Sequence, residues 1–156
     1  MSFTDAIRSG DATTVERMLR THPELVDQRD FRGFPPLVLA TYNGQSEVAR
    51  ILLENGADVD TRDAAGNTAL IGVCFKGNEE MVDLLLEHGA DVNARNNSKA
   101  TALIFATTFG QNQIARQLLA AGADPNLCDH HGHTALFHAR TQKNAELEAI
   151  LAAVTE

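Results

Sequence analysis

The sequence predicts an all-α solenoid: short helix-turn-helix units stacked side by side, about five of them counting two caps, linked by exposed β-turn or hairpin loops. Three observations carry that prediction. Leucines recur at Leu37, Leu70, Leu103 and Leu136, each 33 residues after the last. Glycines keep the same step at Gly44, Gly77 and Gly110, and again at Gly56, Gly89 and Gly122. Whole phrases travel with them: "ARILLENGADVDTRD", "VDLLLEHGADVNARN" and "ARQLLAAGADPNLCD". Units this short cannot bury an apolar face alone, so stacking neighbours must supply the core.

The chain reads as one domain over 1–156. Residues 1–29 form a degenerate N-terminal cap that keeps a turn glycine, Gly10, and a second-helix pattern, Val15, Met18 and Leu19. Its "THPELVD" is one residue longer than the matching stretches. Full repeats follow at 30–62, 63–95 and 96–128. Each first helix begins after "GFPPL", "GNTAL", "KATAL" or "GHTAL". Thr68, Thr101 and Thr134 suit an N-cap, and Pro35-Pro36 suits the first turn of the first such helix. Gly44, Gly77 and Gly110 then allow a tight reversal. The second helices carry apolar residues at helical spacing, such as Val48, Ile51 and Leu52, or Met81, Leu84 and Leu85. "NGAD", "HGAD" and "AGAD" end them, with Asp58, Asp91 and Asp124 expected to bond to nearby backbone. A truncated C-terminal cap covers 129–156. Atypical ends are expected, since each must shield one open face of the stack.

These phrases resemble the ankyrin-repeat family, whose unit is a β-turn followed by two helices with a T-P-L-H-type signature. The resemblance covers essentially the entire chain, and its stand-alone form looks like small bacterial ankyrin-repeat proteins. It implies that turn tips and first helices line a concave groove while second helices form the convex back. Three departures matter. The signature histidine is replaced by Val38, Ile71, Ile104 and Phe137, so apolar packing must substitute for imidazole hydrogen bonds. Lys99 stands at a turn glycine, at a cost of about 1 kcal/mol if the turn needs positive φ. Gln117 interrupts the second-helix leucine row, which makes 96–128 the expected weak repeat.

Composition excludes several classes. A formal charge of −8 over 156 residues argues against a nucleic-acid binder, which needs basic surface to displace counterions. No stretch is long enough to span a membrane, and "MSFTDAIRSGDATT" lacks an apolar signal region. Two cysteines imply no disulfide framework, so a cytoplasmic, reducing setting is expected. Cys74 aligns with Thr41 and Thr107 and reads as a small buried side chain. The carboxylates follow helix surfaces, and no nucleophile elbow, phosphate loop or zinc-protease motif is present. Neither enzymatic activity nor a cofactor is expected.

The stretch "LCDHHGHTALFHAR" gathers Cys128, His130, His131, His133 and His138. In the repeat frame Cys128 matches Arg62 and Arg95, and Asp129 matches Asp30 and Asp63. His130 and His131 fall at a turn tip, where consecutive side chains are expected to point apart. His133 matches Phe34, Asn67 and Ala100. His138 matches Leu39, Gly72 and Phe105, where packing against a neighbour is expected. The spacing fits no standard zinc pattern, so no metal site is expected. The alternative is a metal-responsive protein using Cys128, His130, His131 and His133.

The function that follows is non-catalytic binding of another protein by a monomer, through the concave surface. The partner-binding candidates are Phe31, Arg32, Phe34, Tyr42 and Asn43; Arg62, Asn67, Phe75 and Lys76; Arg95 and Phe109; and His130, His131 and His133. Aromatic residues and arginines are the types enriched in binding hot spots. Phe75 and Phe109 are the rings most easily folded onto a neighbouring repeat, whereas Phe31, Phe34 and Tyr42 are harder to hide. Arg29, Arg62 and Arg95 form a column ending at Cys128. A second reading is a dedicated inhibitor or immunity protein that neutralises a cognate toxin or enzyme. The acidic balance suits a basic toxin; the arginine column pulls the other way. Self-association through the aromatic patch is a third possibility.

Overall fold

The helix starts fall where the cap residues stand. In the computed structural model, which describes residues 1–155, the side chains of Thr68, Thr101 and Thr134 accept the backbone N–H of Ile71, Ile104 and Phe137 at 3.2–3.3 Å. Pro36 opens its helix behind Pro35, with no side-chain cap needed.

Among the described residues the elements are α1 (Phe3–Ser9), α2 (Ala12–Thr21), a 3-10 turn (Pro23–Asp27), α3 (Pro36–Tyr42), α4 (Ser46–Glu54), α5 (Ala69–Lys76), α6 (Glu79–Glu87), α7 (Ala102–Thr108), α8 (Asn112–Ala120), α9 (Ala135–Thr141) and α10 (Ala145–Val154). The extra residue of "THPELVD" is taken up by the 3-10 turn. No strand forms among the described residues, only an isolated antiparallel bridge between Cys128 and Thr134. None of these helices is long and apolar enough to cross a membrane.

Odd-numbered helices stack in one row and even-numbered helices in another. The odd row packs more densely than the even row. One apolar interior runs between the rows. Leu37, Leu70 and Leu103 are buried in it, as are Val38, Ile71 and Ile104 where the signature histidine is missing. Phe137, in the same register on α9, is 44% exposed.

Side-chain bonds tie the units together. In the "GAD" turns Asp58, Asp91 and Asp124 each accept the backbone N–H two residues on, at 2.9–3.0 Å. Asp60 and Asn93 reach the next turn, accepting from Asp91 N at 2.9 Å and Asp124 N at 2.8 Å. Lys99 does adopt positive φ, 60°, where the matching Gly33, Gly66 and Gly132 have 85°, 78° and 78°. Gln117 does more than interrupt a row. Its amide Nε2–H donates to Asp83 Oδ1 at 2.8 Å and Glu79 O at 3.2 Å on α6, although its Oε1 is buried without a partner.

Candidate functional site

Every tip is shaped by one side chain. Asp30, Asp63, Asn96 and Asp129 each accept, through Oδ1, the backbone N–H groups two and four residues on, at 2.9–3.0 Å. Short polar side chains favour such turns for this reason. Successive tips then join through backbone: Asn97 N donates to Ala65 O and His130 N to Ser98 O, both at 3.0 Å.

The arginine column staples these tips. Arg29 Nη1 donates to Gly33 O at 2.9 Å and to Arg62 O, one repeat on, at 2.6 Å. Arg62 Nη1 repeats this with Gly66 O at 3.0 Å and Arg95 O at 2.6 Å. Arg95 bonds to Lys99 O at 3.0 Å and to Cys128 O. Arg29 and Arg62 reach both carbonyls from one Nη1, whereas Arg95 spans its two with Nε and Nη2, a planar fork that lysine's point charge would not reproduce. Cys128 ends the column by supplying its carbonyl, a role any residue can fill.

The aromatic residues divide differently from the sequence expectation. Phe34 and Tyr42 are the half-hidden pair, packed against the core edge-to-face at 5.5 Å. Tyr42 has room because Gly72 faces it; a Cβ there would come within 3.3 Å of the ring. The Tyr42 hydroxyl donates to Asp63 Oδ2 and accepts from Asn67 Nδ2, both at 3.5 Å. Burial first, then the Asp63 charge, raises its pKa. Phe75 and Phe109, expected to be the easier pair to bury, are 50% and 42% exposed, edge-to-face at 4.7 Å. Phe31 is 88% exposed at its tip, under the guanidinium of Arg32, which also lies 5.4 Å from the Phe34 ring centre.

Arg32, Phe34, Tyr42 and Asn43 line a depression of about 290 Å³ with Leu39. Lys76 is exposed beside Phe75, while Asn67 is half-buried and accepts from Asn96 Nδ2 at 2.8 Å.

At the last tip the histidine rings do not point apart as the sequence suggested. His130 and His131 have ring centres 3.8 Å apart, and His133 lies 5.8 Å from both His131 and His138. Phe137 stacks on His133 at 3.7 Å. His138 pairs with a charge rather than simply packing: its Nε2–H donates to Asp129 Oδ2 at 3.0 Å. Burial pulls the Asp129 carboxyl upward, but hydrogen bonds from His138 and from the backbone of His133 and His131 outweigh it and hold it at about 2. Among the described residues, the metal-capable donors brought within 4.8 Å of one another are those of Asp129, His133 and His138. The set Cys128, His130, His131 and His133 does not assemble. Cys74 is fully buried, and burial drives its thiol pKa up, which leaves it inert.

Exposed acids outnumber exposed bases on the even-numbered helices, although Arg17, Arg20 and Arg116 are exposed there too. Arg32, Lys76, Lys99 and Arg140 are exposed on the tips and odd helices. Asp30, Asp63 and Asp129 on that side are spent on the turns. Glu47, Glu54, Glu79, Glu80, Asp83 and Glu87 are exposed on the even helices. Gly72, Phe105 and His138, which the sequence reading places only as packing positions, lie beside Tyr42, Phe109 and Asp129 respectively. Their signal was the frame itself, since all stand nine positions after a tip Asp or Asn.

A family model described as ankyrin repeats (3 copies) matches residues 3–96, and one described as ankyrin repeats (many copies) matches 85–139. Comparison with curated proteins finds no significant match. Such repeats are in general protein–protein interaction modules and typically non-catalytic. With its tip-and-helix-pair units stacked in two rows, the chain belongs to the ankyrin-repeat family.

Proposed function

We propose that this protein binds an acidic, partly apolar segment of a partner protein across its tips and odd-numbered helices, without catalysing a reaction. One observation carries the reading: exposed rings and cations share a single face, although the chain as a whole carries a charge of −8. Phe31, Phe75 and Phe109 offer apolar area that water disfavours, at about 25 cal/mol per Å². Arg32 and Lys76 flank them, and the acids of the tips face inward. Complementary charge of this kind sets on-rate and partner choice more than affinity.

Within this face the candidates hold different roles. Phe31, Arg32, Asn43, Phe75, Lys76, Phe109, His130 and His131 present free surface to a partner. Phe34, Tyr42, Asn67 and His133 form the floor, and Arg62 and Arg95 hold the tips in register. An inhibitor built this way would meet an acidic patch of its target, and a basic toxin would instead have to meet the even-helix side.

Affinity capture from the native host, with wild type beside Phe75→Ala/Phe109→Ala and Arg32→Glu/Lys76→Glu, tests the proposal. Wild type should retain a protein that both variants lose and that salt weakens. Equal capture by both variants would refute the assignment of the face.

A further inference from the structure

The repeat frame aligns three positions in every unit: the tip Asp or Asn, the residue four further on, and the residue nine further on. In the first full repeat they are Asp30, Phe34 and Leu39, and the last two line the depression already described. In the second they are Asp63, Asn67 and Gly72, and in the third Asn96, Ala100 and Phe105. Only in the last repeat are all three metal-capable: Asp129, His133 and His138. Their donor atoms lie within 4.8 Å of one another, with His138 Nε2 already 3.0 Å from Asp129 Oδ2.

We propose that the last repeat binds a zinc-class divalent cation through Asp129, His133 and His138. Two imidazoles and one carboxylate suit zinc and its neighbours rather than magnesium or calcium, which prefer all-oxygen sets. Donors bound to one zinc at about 2.0 Å lie about 3.3 Å apart in tetrahedral geometry. The Asp129–His138 pair is near that separation, and the His133 donor, within 4.8 Å of both, has to move closer when the ion binds.

The surroundings hold these groups in place. Asp129 is fixed by backbone N–H bonds to its other oxygen, at 3.0 Å from both His131 and His133. The stacked Phe137 orients the His133 ring. His138 projects from α9, a rigid element, with its side chain 21% exposed, so an ion can enter from the groove. Three protein donors leave a coordination position open, as in zinc sites that accept an outside ligand. The ion's retention rests on these three residues alone.

The repeat frame provides a variant that folds. Asp129→Asn, His133→Ala and His138→Phe together install the trio that the third full repeat already uses. Isothermal titration of the full chain with Zn2+ should show one saturable site, unaffected by excess Mg2+. The triple variant should lose it, and His138→Ala alone should weaken it by at least about tenfold, the loss seen even for an outer-shell partner. His130→Ala/His131→Ala should retain it, with circular dichroism showing each variant folded. Absence of a saturable site, survival of binding in the triple variant, or its loss in His130→Ala/His131→Ala would each overturn the proposal.

Discussion

Two aromatic pairs on one face, built from the same frame, end in opposite environments. Phe34 with Tyr42, and Phe75 with Phe109, both meet edge-to-face, at 5.5 Å and 4.7 Å. Tyr42 and Phe75 stand at equivalent positions, 33 residues apart. Yet Tyr42 is half-buried and Phe75 is 50% exposed. The difference lies one repeat further on. Tyr42 lies over Gly72, which leaves room for its ring. The matching place in the next repeat holds Phe105, packed on Phe109 at 5.8 Å, and Phe75 meets Phe109 edge-to-face at 4.7 Å rather than sinking. The period decides which face a side chain leaves from; the size of one neighbour decides whether it becomes floor or surface.

The largest test of that contrast removes each pair. Phe34→Ala/Tyr42→Ala should cost about 2–4 kcal/mol, less than for two fully buried rings but with a lost contact to the core. Phe75→Ala/Phe109→Ala should cost about 1 kcal/mol or less, mainly the ring–ring attraction. Urea unfolding of both variants gives the ranking directly. Equal losses, or the reverse order, would break the comparison. It follows that the exposed pair is the cleaner probe of binding, since its removal leaves the scaffold intact.

How much of this was legible in the sequence depends on distance along the chain. Local chemistry reads well: the threonine caps, the "GAD" turns, the positive φ of Lys99 and the buried Cys74 all follow from residue type and register. Contacts between repeats read poorly, because the period aligns positions without saying what the neighbour's side chain does there. Arg62 and Arg95 look like free groove cations in sequence, and their bonds to backbone one repeat away become visible only in three dimensions. The same holds for Gly72 beneath Tyr42 and for His138 against Asp129. The metal-capable trio was hidden for a related reason. Histidines crowded at the tip drew attention to adjacent residues, whereas the fold joins positions four and nine apart.

A second test fills the space under Tyr42. Gly72→Phe copies the residue found at that place in the next repeat. It should push the Tyr42 ring outward and cost about 1–3 kcal/mol, the usual range for overpacking. Because Phe105 shows that a phenylalanine fits the helix here, the loss reports on the evicted ring rather than on α5 itself. No change in stability would mean that Tyr42 gains little from lying down.

The smallest effect is also the most local. Tyr42 is the one tyrosine in a chain without tryptophan, so an ultraviolet absorbance titration of phenolate reads a single site. Its pKa should lie above the ordinary 10.0, first because burial disfavours the anion and then because Asp63 repels it. The sign for stability follows: the neutral phenol's contribution is intact below 10.0 and is lost as pH rises through the elevated value. Two variants separate the causes. Gly72→Ala lifts the ring toward water and should lower the pKa through solvation. Overall stability should change by less than about 1 kcal/mol, because alanine's helix preference over glycine offsets the crowding. Asp63→Asn removes the charge while keeping the tip, as Asn96 does one repeat later, and should lower the pKa by a smaller amount. If Asp63→Asn moved the titration further than Gly72→Ala, charge rather than burial would be what sets Tyr42 apart from Phe75, and the size of the facing residue would no longer explain the two environments.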